Sequence, residues 1–258
     1  MSGKRRHPAA FELVRRFKEA GISENETGIS GSILAGLENE ESDIDFLVYG
    51  KTWFTARDKL AKMKKETKNK MKKETKNKMK NEIKTETHYF ENSEKTEYEI
   101  SELDEAMWKT VYKKRKSPFS FDIFFAHEIR KGNRGMITGS SGEKFYFDLL
   151  FARSKDQIQE PIRRGKDTEK TIIEATVTND DFAFDSPAVY LIDHDEIAEI
   201  YSYTHTYAGQ ALKGEKVRAR GIVEVIGNKK RLVIGTTREA EDEWMISLSL
   251  LEELKFNR

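Results

Sequence analysis

Between Gly28 and Gly50 the chain reads GISGSILAGLENEESDIDFLVYG, and this stretch of 23 residues constrains the fold more than any other. Gly31 lets the backbone approach a ligand closely, Ser32 adds a hydroxyl, and Ile33 to Leu37 reads as the first turns of a helix whose N-terminal amides favour a phosphate. About ten residues on, Asp43 and Asp45 flank Ile44 at the head of an apolar run that ends at Tyr49 and is closed by Gly50, the pattern of a short buried strand. Alternation along a strand sends both carboxylates to one face. Two carboxylates beside a phosphate-binding turn make a site for Mg²⁺, which takes oxygen ligands and fills its remaining positions with phosphate oxygens.

The surrounding sequence predicts an α+β chain of two domains. Residues 1–155 alternate helical and strand signals and are expected to form the first domain, a mixed sheet with helices. Pro8 to Ala20 has the spacing of an amphipathic helix, with Phe11, Leu13, Val14 and Phe17 towards the core and Gly21 as its stop. Asp104 to Lys114 reads as a second helix. From Pro161 to Lys170 the composition turns polar, which suggests a linker. Residues 156–258 then supply only short strands: Thr171–Thr178, Ala188–Asp193, Ile197–Thr204, Lys216–Ile226, Arg231–Thr237 and Trp244–Leu248, with a Gly227-Asn228 turn. Short strands with glycines at ends and bends predict a small closed barrel, and the long 216–226 strand bending at Gly221 is similar to the opening of an OB-fold.

The chain has 258 residues and a formal net charge of +1, but that charge is a cancellation. Residues 59–84 hold 12 lysines against three glutamates, and residues 85–107 hold eight acids against one lysine. The basic block is a tandem repeat, MKKETKNK at 63–70 and again at 71–78. A period of eight residues advances roughly 800° on an α-helix, so its methionines form no straight stripe and a coiled coil is not expected. A solvated helix and a loop both remain open for this insertion, as does attraction of nucleic acid. The absence of cysteine excludes disulfides, thiolate metal sites and cysteine catalysis. No apolar run approaches the roughly 20 residues of a membrane span, and the first residues lack a secretory h-region, so a cytoplasmic protein is expected.

Gly-Ser followed about ten residues later by Asp-hydrophobic-Asp on a strand resembles the signature of the DNA polymerase beta-like nucleotidyltransferase superfamily. More loosely, RKGNRG at 130–135, FDLLFAR at 147–153, ARGIVE and RLVIGTTREA resemble a group of archaeal predicted nucleotidyltransferases. The resemblance implies a nucleotidyltransferase fold, an NTP substrate with ATP the expected one, and two Mg²⁺ ions held by three carboxylates. Asp43 and Asp45 would be two of them; Gly31 and Ser32 would position the β/γ-phosphates. Two positions compete for the third. Asp122 lies in SPFSFDIFFAHEIRKG, where Ser120 caps a helix and Gly132 ends it, so the helix dipole alone accounts for an acid in the first turn. Asp148 lies in EKFYFDLLFAR, an apolar strand where a carboxylate is costly unless compensated. Asp148 is the choice. It would join the second metal and help deprotonate the acceptor.

Arg130, Lys131 and Arg134 supply cations for a triphosphate or a nucleic-acid backbone. Tyr49, Trp53 and Trp108 could stack on a base or serve the core. In the barrel, Arg218, Arg220, Tyr201, Tyr203 and Tyr207 are the residue types that bind single-stranded nucleic acid, which makes RNA a candidate partner. The five histidines show no metal-site spacing, and Walker and Gly-x-Ser-x-Gly patterns are absent.

Overall fold

A computed structural model describes residues 7–39, 42–81, 98–158, 163–237, 239 and 242–256. Its two compact units do not follow a single cut along the chain: one is Met1–Leu103 with Asn133–Leu150, the other Asp104–Gly132 with Phe151–Arg258.

The first unit is built on a mixed α+β arrangement. Its sheet has the order β1 (Thr27–Ile29), β2 (Ile44–Tyr49), β5 (Lys144–Ala152), β4 (Arg134–Thr138) and β3 (Glu99–Ser101). Helix α1 (Pro8–Glu19) covers one face, with His7 as its N-cap. Ala9, Leu13 and Phe17 are fully buried, and Phe17 stacks on Phe46 at 4.9 Å between ring centroids. Phe11, expected in that stripe, is 60% exposed. It sits two residues before Leu13, about 200° round the helix and so on the solvent side. Glu12 is buried instead. Burial raises its pKa, but hydrogen bonds from Arg15 and Arg16 outweigh this and hold it below the usual carboxylate range.

Helix α3 (Thr52–Asn81) runs through both copies of the lysine repeat. Trp53, Ala56 and Leu60 make its buried stripe, and the next position on that stripe is Lys64. Its stem stays buried while its ammonium reaches the Glu102 carboxylate at 2.9 Å. Lys70 pairs with Glu99 of β3 at 2.7 Å. The first repeat is therefore helical and tied to the acidic block by two ion pairs. Residues 85–97 of that block lie outside the described residues.

In the second unit, α4 (Glu105–Arg115) starts at an Asp104 cap, whose carboxylate accepts from Met107 N–H at 2.9 Å. Helix α5 (Phe121–Lys131) starts at the Ser120 cap and stops at Gly132, which has φ +68°. Asp122 is in the first turn of α5. Six strands follow: β6 (Lys166–Phe182), β7 (Ala188–Asp193), β8 (Ile197–Ser202), β9 (Lys216–Ile226), β10 (Lys229–Ile234) and β11 (Trp244–Ser247), then the short α6 (Leu248–Glu253). Their order is β10-β8-β7-β6-β9-β11, and β10 also pairs with β9, so five strands close a ring. β8 and β10 run parallel and the other pairs antiparallel. At Gly221 a Cβ would stand 2.2 Å from the Val233 carbonyl oxygen, so only glycine lets β9 approach β10 there. The expected linker is shorter than its composition suggests. Lys166–Lys170 already pair with β9, because a backbone ladder does not require apolar side chains.

Among the described residues no helix is long and apolar enough to cross a membrane.

Candidate active site

The glycine turn and the aspartate strand meet. Ser30 N–H donates to the Asp45 carbonyl at 3.0 Å, which docks the chain leaving β1 onto the start of β2. Gly31 follows with φ +67° and opens the five-residue helix α2 (Gly31–Ala35). A Cβ at Gly31 would lie 2.1 Å from Asp45 Oδ2 and 3.2 Å from its Cγ. Glycine is thus required twice, by the left-handed backbone and by the carboxylate pressed against it. Ser32 sits in the first turn and its carbonyl accepts from Leu37 N–H at 2.9 Å, beyond the Gly36 stop.

Alternation in β2 is clean. Ile44, Phe46 and Val48 are fully buried, whereas Asp45, Leu47 and Tyr49 are half-buried and Asp43, just before the strand, is exposed. On the neighbouring strand β5, Phe147, Leu149 and Phe151 are buried and Asp148 is half-buried. The α1 side of the sheet is fixed by Phe17 on Phe46 and by the His7 ring edge-on to Phe145 at 5.0 Å. Asp45 and Asp148 are each one residue out of phase with those aromatics, so both leave the sheet on the opposite face. Asp43 precedes Asp45 by one strand period.

Asp148 is held. The β4–β5 register places Arg134 directly opposite it, and Arg134 Nε reaches Asp148 Oδ1 at 2.8 Å. The next register pair is Gly135 with Phe147, where a Cβ would meet the ring at 2.4 Å, so glycine leaves the space in which Phe147 lies across β4. One residue beyond Asp148, the Leu149 carbonyl accepts from the Trp53 indole at 3.1 Å and from the Asn133 side-chain amide at 3.3 Å. The sequence offered Trp53 as a base-stacking or core aromatic and Asn133 only within RKGNRG, neither of them as a donor to this strand. The signal for Trp53 was available, since a fully buried indole N–H needs an acceptor.

The segment RKGNRG divides at Gly132. Asn133, Arg134 and Gly135 lead into β4, whereas Arg130 and Lys131 end α5 in the second unit. Arg130 donates to Glu215 at 2.6 Å and to the Gln210 carbonyl; buried Lys131 donates to Glu128 and, at 2.9 Å, to the Thr206 carbonyl. Both cations are thus engaged inside their own unit. Trp53 and Trp108 are buried, 0% and 2% exposed, which gives them to the core. Among the barrel residues, Tyr207 is buried with its hydroxyl on the Glu243 carbonyl at 2.7 Å. Arg218 and Arg220 face Glu174 and Asp242. The Arg231 guanidinium covers the Tyr201 ring at 4.3 Å and the Arg164 guanidinium covers Tyr203 at 5.0 Å, and the buried Glu224 carboxylate accepts from both arginines. The expected basic face is largely paired by acids.

Among the described residues no group of three or more His, Asp or Glu side chains is gathered as a metal site. The donor set around Asp45 nevertheless suits a hard cation: two carboxylates in strand alternation and a glycine turn whose backbone lies against the Asp45 carboxylate.

Residues 12–109 match the family described as the nucleotidyltransferase domain. The chain is also 37% identical over 247 residues to an uncharacterized protein of Methanocaldococcus jannaschii, a match that covers 91% of this chain and 62% of that protein. It therefore spans less than two thirds of the length of this relative. No solved structure matches. The segment in which Gly31 packs against Asp45 lies within the stretch that matches the nucleotidyltransferase domain family, in keeping with the archaeal group that the sequence motifs resemble.

Proposed function

We propose that this chain transfers a nucleoside monophosphate from an NTP, with ATP the expected donor, to a hydroxyl acceptor in a Mg²⁺-dependent reaction. The observation that carries this reading is the Gly31–Asp45 junction, where the backbone of a phosphate-type turn lies against a carboxylate with no room for a side chain. Such a junction brings an anion-binding turn and a cation-binding carboxylate to one point, which is what a metal-bound triphosphate requires.

In this reading Asp43 and Asp45 hold Mg²⁺, Gly31 and Ser32 position the β/γ-phosphates, and Asp148 completes the carboxylate set from the neighbouring strand. When bound, Mg²⁺ supplies the positive charge that the attacking and leaving oxygens need in an in-line displacement. The acceptor oxygen forms its bond to the α-phosphorus as the bridging oxygen to the β-phosphate leaves with the electron pair, giving pyrophosphate. The hydroxyl proton passes towards the Asp148 carboxylate and then to solvent. Arg134, opposite Asp148 on β4, is the arginine assigned to the triphosphate in this reading. For the second unit, we read the closed ring as an OB-like barrel, a reading supported by the order β6-β7-β8-β10-β9 with β8 and β10 parallel.

The test is transfer of label from α-labelled NTPs to RNA, protein or small-molecule hydroxyls in the presence of Mg²⁺. Asp43→Asn and Asp45→Asn are each expected to lower transfer by about a thousandfold or more. A folded double variant with wild-type transfer would overturn the assignment.

A further inference from the structure

We infer that the outward face of α3 is a docking ridge for a nucleic-acid strand, held by its phosphodiester backbone. The inference goes beyond the transferase reading and does not rest on it, because docking is an affinity measured with neither NTP nor Mg²⁺ present.

The helix sorts its lysines by direction. Trp53, Ala56, Leu60 and Lys64 are buried and, at about 100° per residue, fall within an arc of roughly 80°. Lys62, Lys65, Lys68, Lys72 and Lys73 are exposed and fall on a second arc, whose centre is turned roughly 150° from that of the first. Glu66, the one acid in residues 62–73, lies beyond the edge of the second arc, and Asp58 bounds the ridge one turn before Lys62. On the other sides of the helix, Lys64 pairs with Glu102 and Lys70 with Glu99. Among the described residues, none of the ridge lysines is paired with a carboxylate.

The tandem repeat produces this sorting. Its period turns each residue of the second copy roughly 80° further round the helix, so Lys64, buried in the first copy, recurs as the exposed Lys72. Lys62, Lys65, Lys68 and Lys72 then follow one another at intervals of three or four residues, where like charges disfavour a helix. A polyanion laid along the ridge relieves that repulsion.

The composition of the ridge selects the partner. From Lys62 to Lys73, ~17 Å of helix, its arc holds Asn69 besides the lysines and offers no apolar anchor of the kind a protein partner buries. The apolar face that a membrane-surface helix gives to lipid is already committed to the core through Trp53, Ala56 and Leu60. Ammonium groups repeated along a line, without side chains that read bases, match the repeated phosphates of a nucleic acid, and such contacts carry no sequence preference.

The test titrates the full chain into a fluorescent single-stranded RNA of mixed sequence and follows anisotropy across a KCl series. Lys62→Gln/Lys65→Gln/Lys68→Gln/Lys72→Gln is expected to weaken binding on the order of tenfold or more at low salt. It should also flatten the slope of the logarithm of the binding constant against log[KCl] by about 3, at about 0.7 per lost phosphate contact. Arginine at the same positions should keep both affinity and slope. Lys113→Gln/Lys114→Gln/Lys213→Gln/Lys229→Gln removes the same charge from exposed positions of the other unit and should bind as wild type. In the wild-type chain, RNA should shield Lys62, Lys65, Lys68 and Lys72 from an acylating reagent while Lys113 and Lys213 stay reactive, a readout that needs no variant to fold. Equal weakening in the second glutamine variant would make net charge the cause and overturn the ridge. So would an unchanged slope in the first, no shielding of its lysines, no RNA binding by the wild-type chain, or displacement of the RNA by phosphatidylserine vesicles. Label transfer from NTP is measured separately, so either reading can fail while the other stands.

Discussion

His127 shows how a single residue sets a condition for the fold. It lies in α5 with its Nδ1 on the Ile123 carbonyl at 2.8 Å and its Nε2 accepting the Ser247 N–H at 3.0 Å. The ring is then neutral with its proton on Nδ1, and burial pushes its pKa down to about 4. Because the folded value is below the unfolded one, the unfolded chain takes up the proton first as pH falls. The stabilisation is complete above about pH 6.5 and is lost progressively towards pH 4, a change of about 3 kcal/mol. Urea unfolding at pH 7 and pH 4.5 should show this loss, and His127→Gln should flatten the difference. At the same scale, the meeting of the Gly31 turn with the Asp45 strand was legible because it is written in local spacing. Asn133 and Trp53 were not, since their shared acceptor, the Leu149 carbonyl, is distant in sequence. The partners of Arg130 and Lys131 were not legible for a related reason: a basic cluster has the same letters whether or not it pairs with acids such as Glu215 and Glu128.

Most elements could be read from periodicity and caps. The boundaries of β2, β7 and β9 and the Ser120 and Gly132 ends of α5 agree with the sequence reading. The lysine repeat was harder, because it has too few apolar residues to declare a buried face. Its helicity is continued from the Trp53–Ala56–Leu60 stripe, and the stripe ends in Lys64. That position yields an asymmetric prediction. Lys64→Met keeps the packing and removes a charge that burial disfavours, so stability should change by less than about 1 kcal/mol. Glu102→Ala leaves the buried ammonium without this partner and should cost about 1–3 kcal/mol. Chemical denaturation of the two variants checks the sign: a Lys64→Met loss equal to that of Glu102→Ala would show that the ion pair itself stabilises α3. The start of β6 at Lys166 was missed because composition reports side chains, whereas pairing with β9 uses the backbone.

For the whole molecule, the two fold classes along the chain were legible but their interleaving was not. Helices α4 and α5 precede β4 in sequence, yet their partners come from the barrel segment. Arg115 donates to Thr206, Arg130 to Glu215, His127 accepts from Ser247, and Phe119 packs edge-on to Trp244 at 5.2 Å. Local pattern cannot reveal contacts across about 100 residues. A fragment of residues 1–155 is therefore expected to leave the α4–α5 face uncovered. It should bind an apolar dye and melt without a sharp transition, while the full chain unfolds cooperatively; a fragment with native-like melting would show that α4 and α5 do not depend on the barrel.

The excursion of α4 and α5 also has a consequence in time. Both helices are complete when the ribosome has passed Gly132, but Ser247, which caps α6 and meets His127, is made 115 residues later. At about 5–20 residues per second the wait is roughly 6–23 seconds. During synthesis, then, the α1-covered sheet that carries the carboxylates can form from residues already made, while an aromatic-rich helix pair waits uncovered beside it in the chain. The nascent protein is most exposed to misassociation after its first sheet is finished and before its last strand arrives.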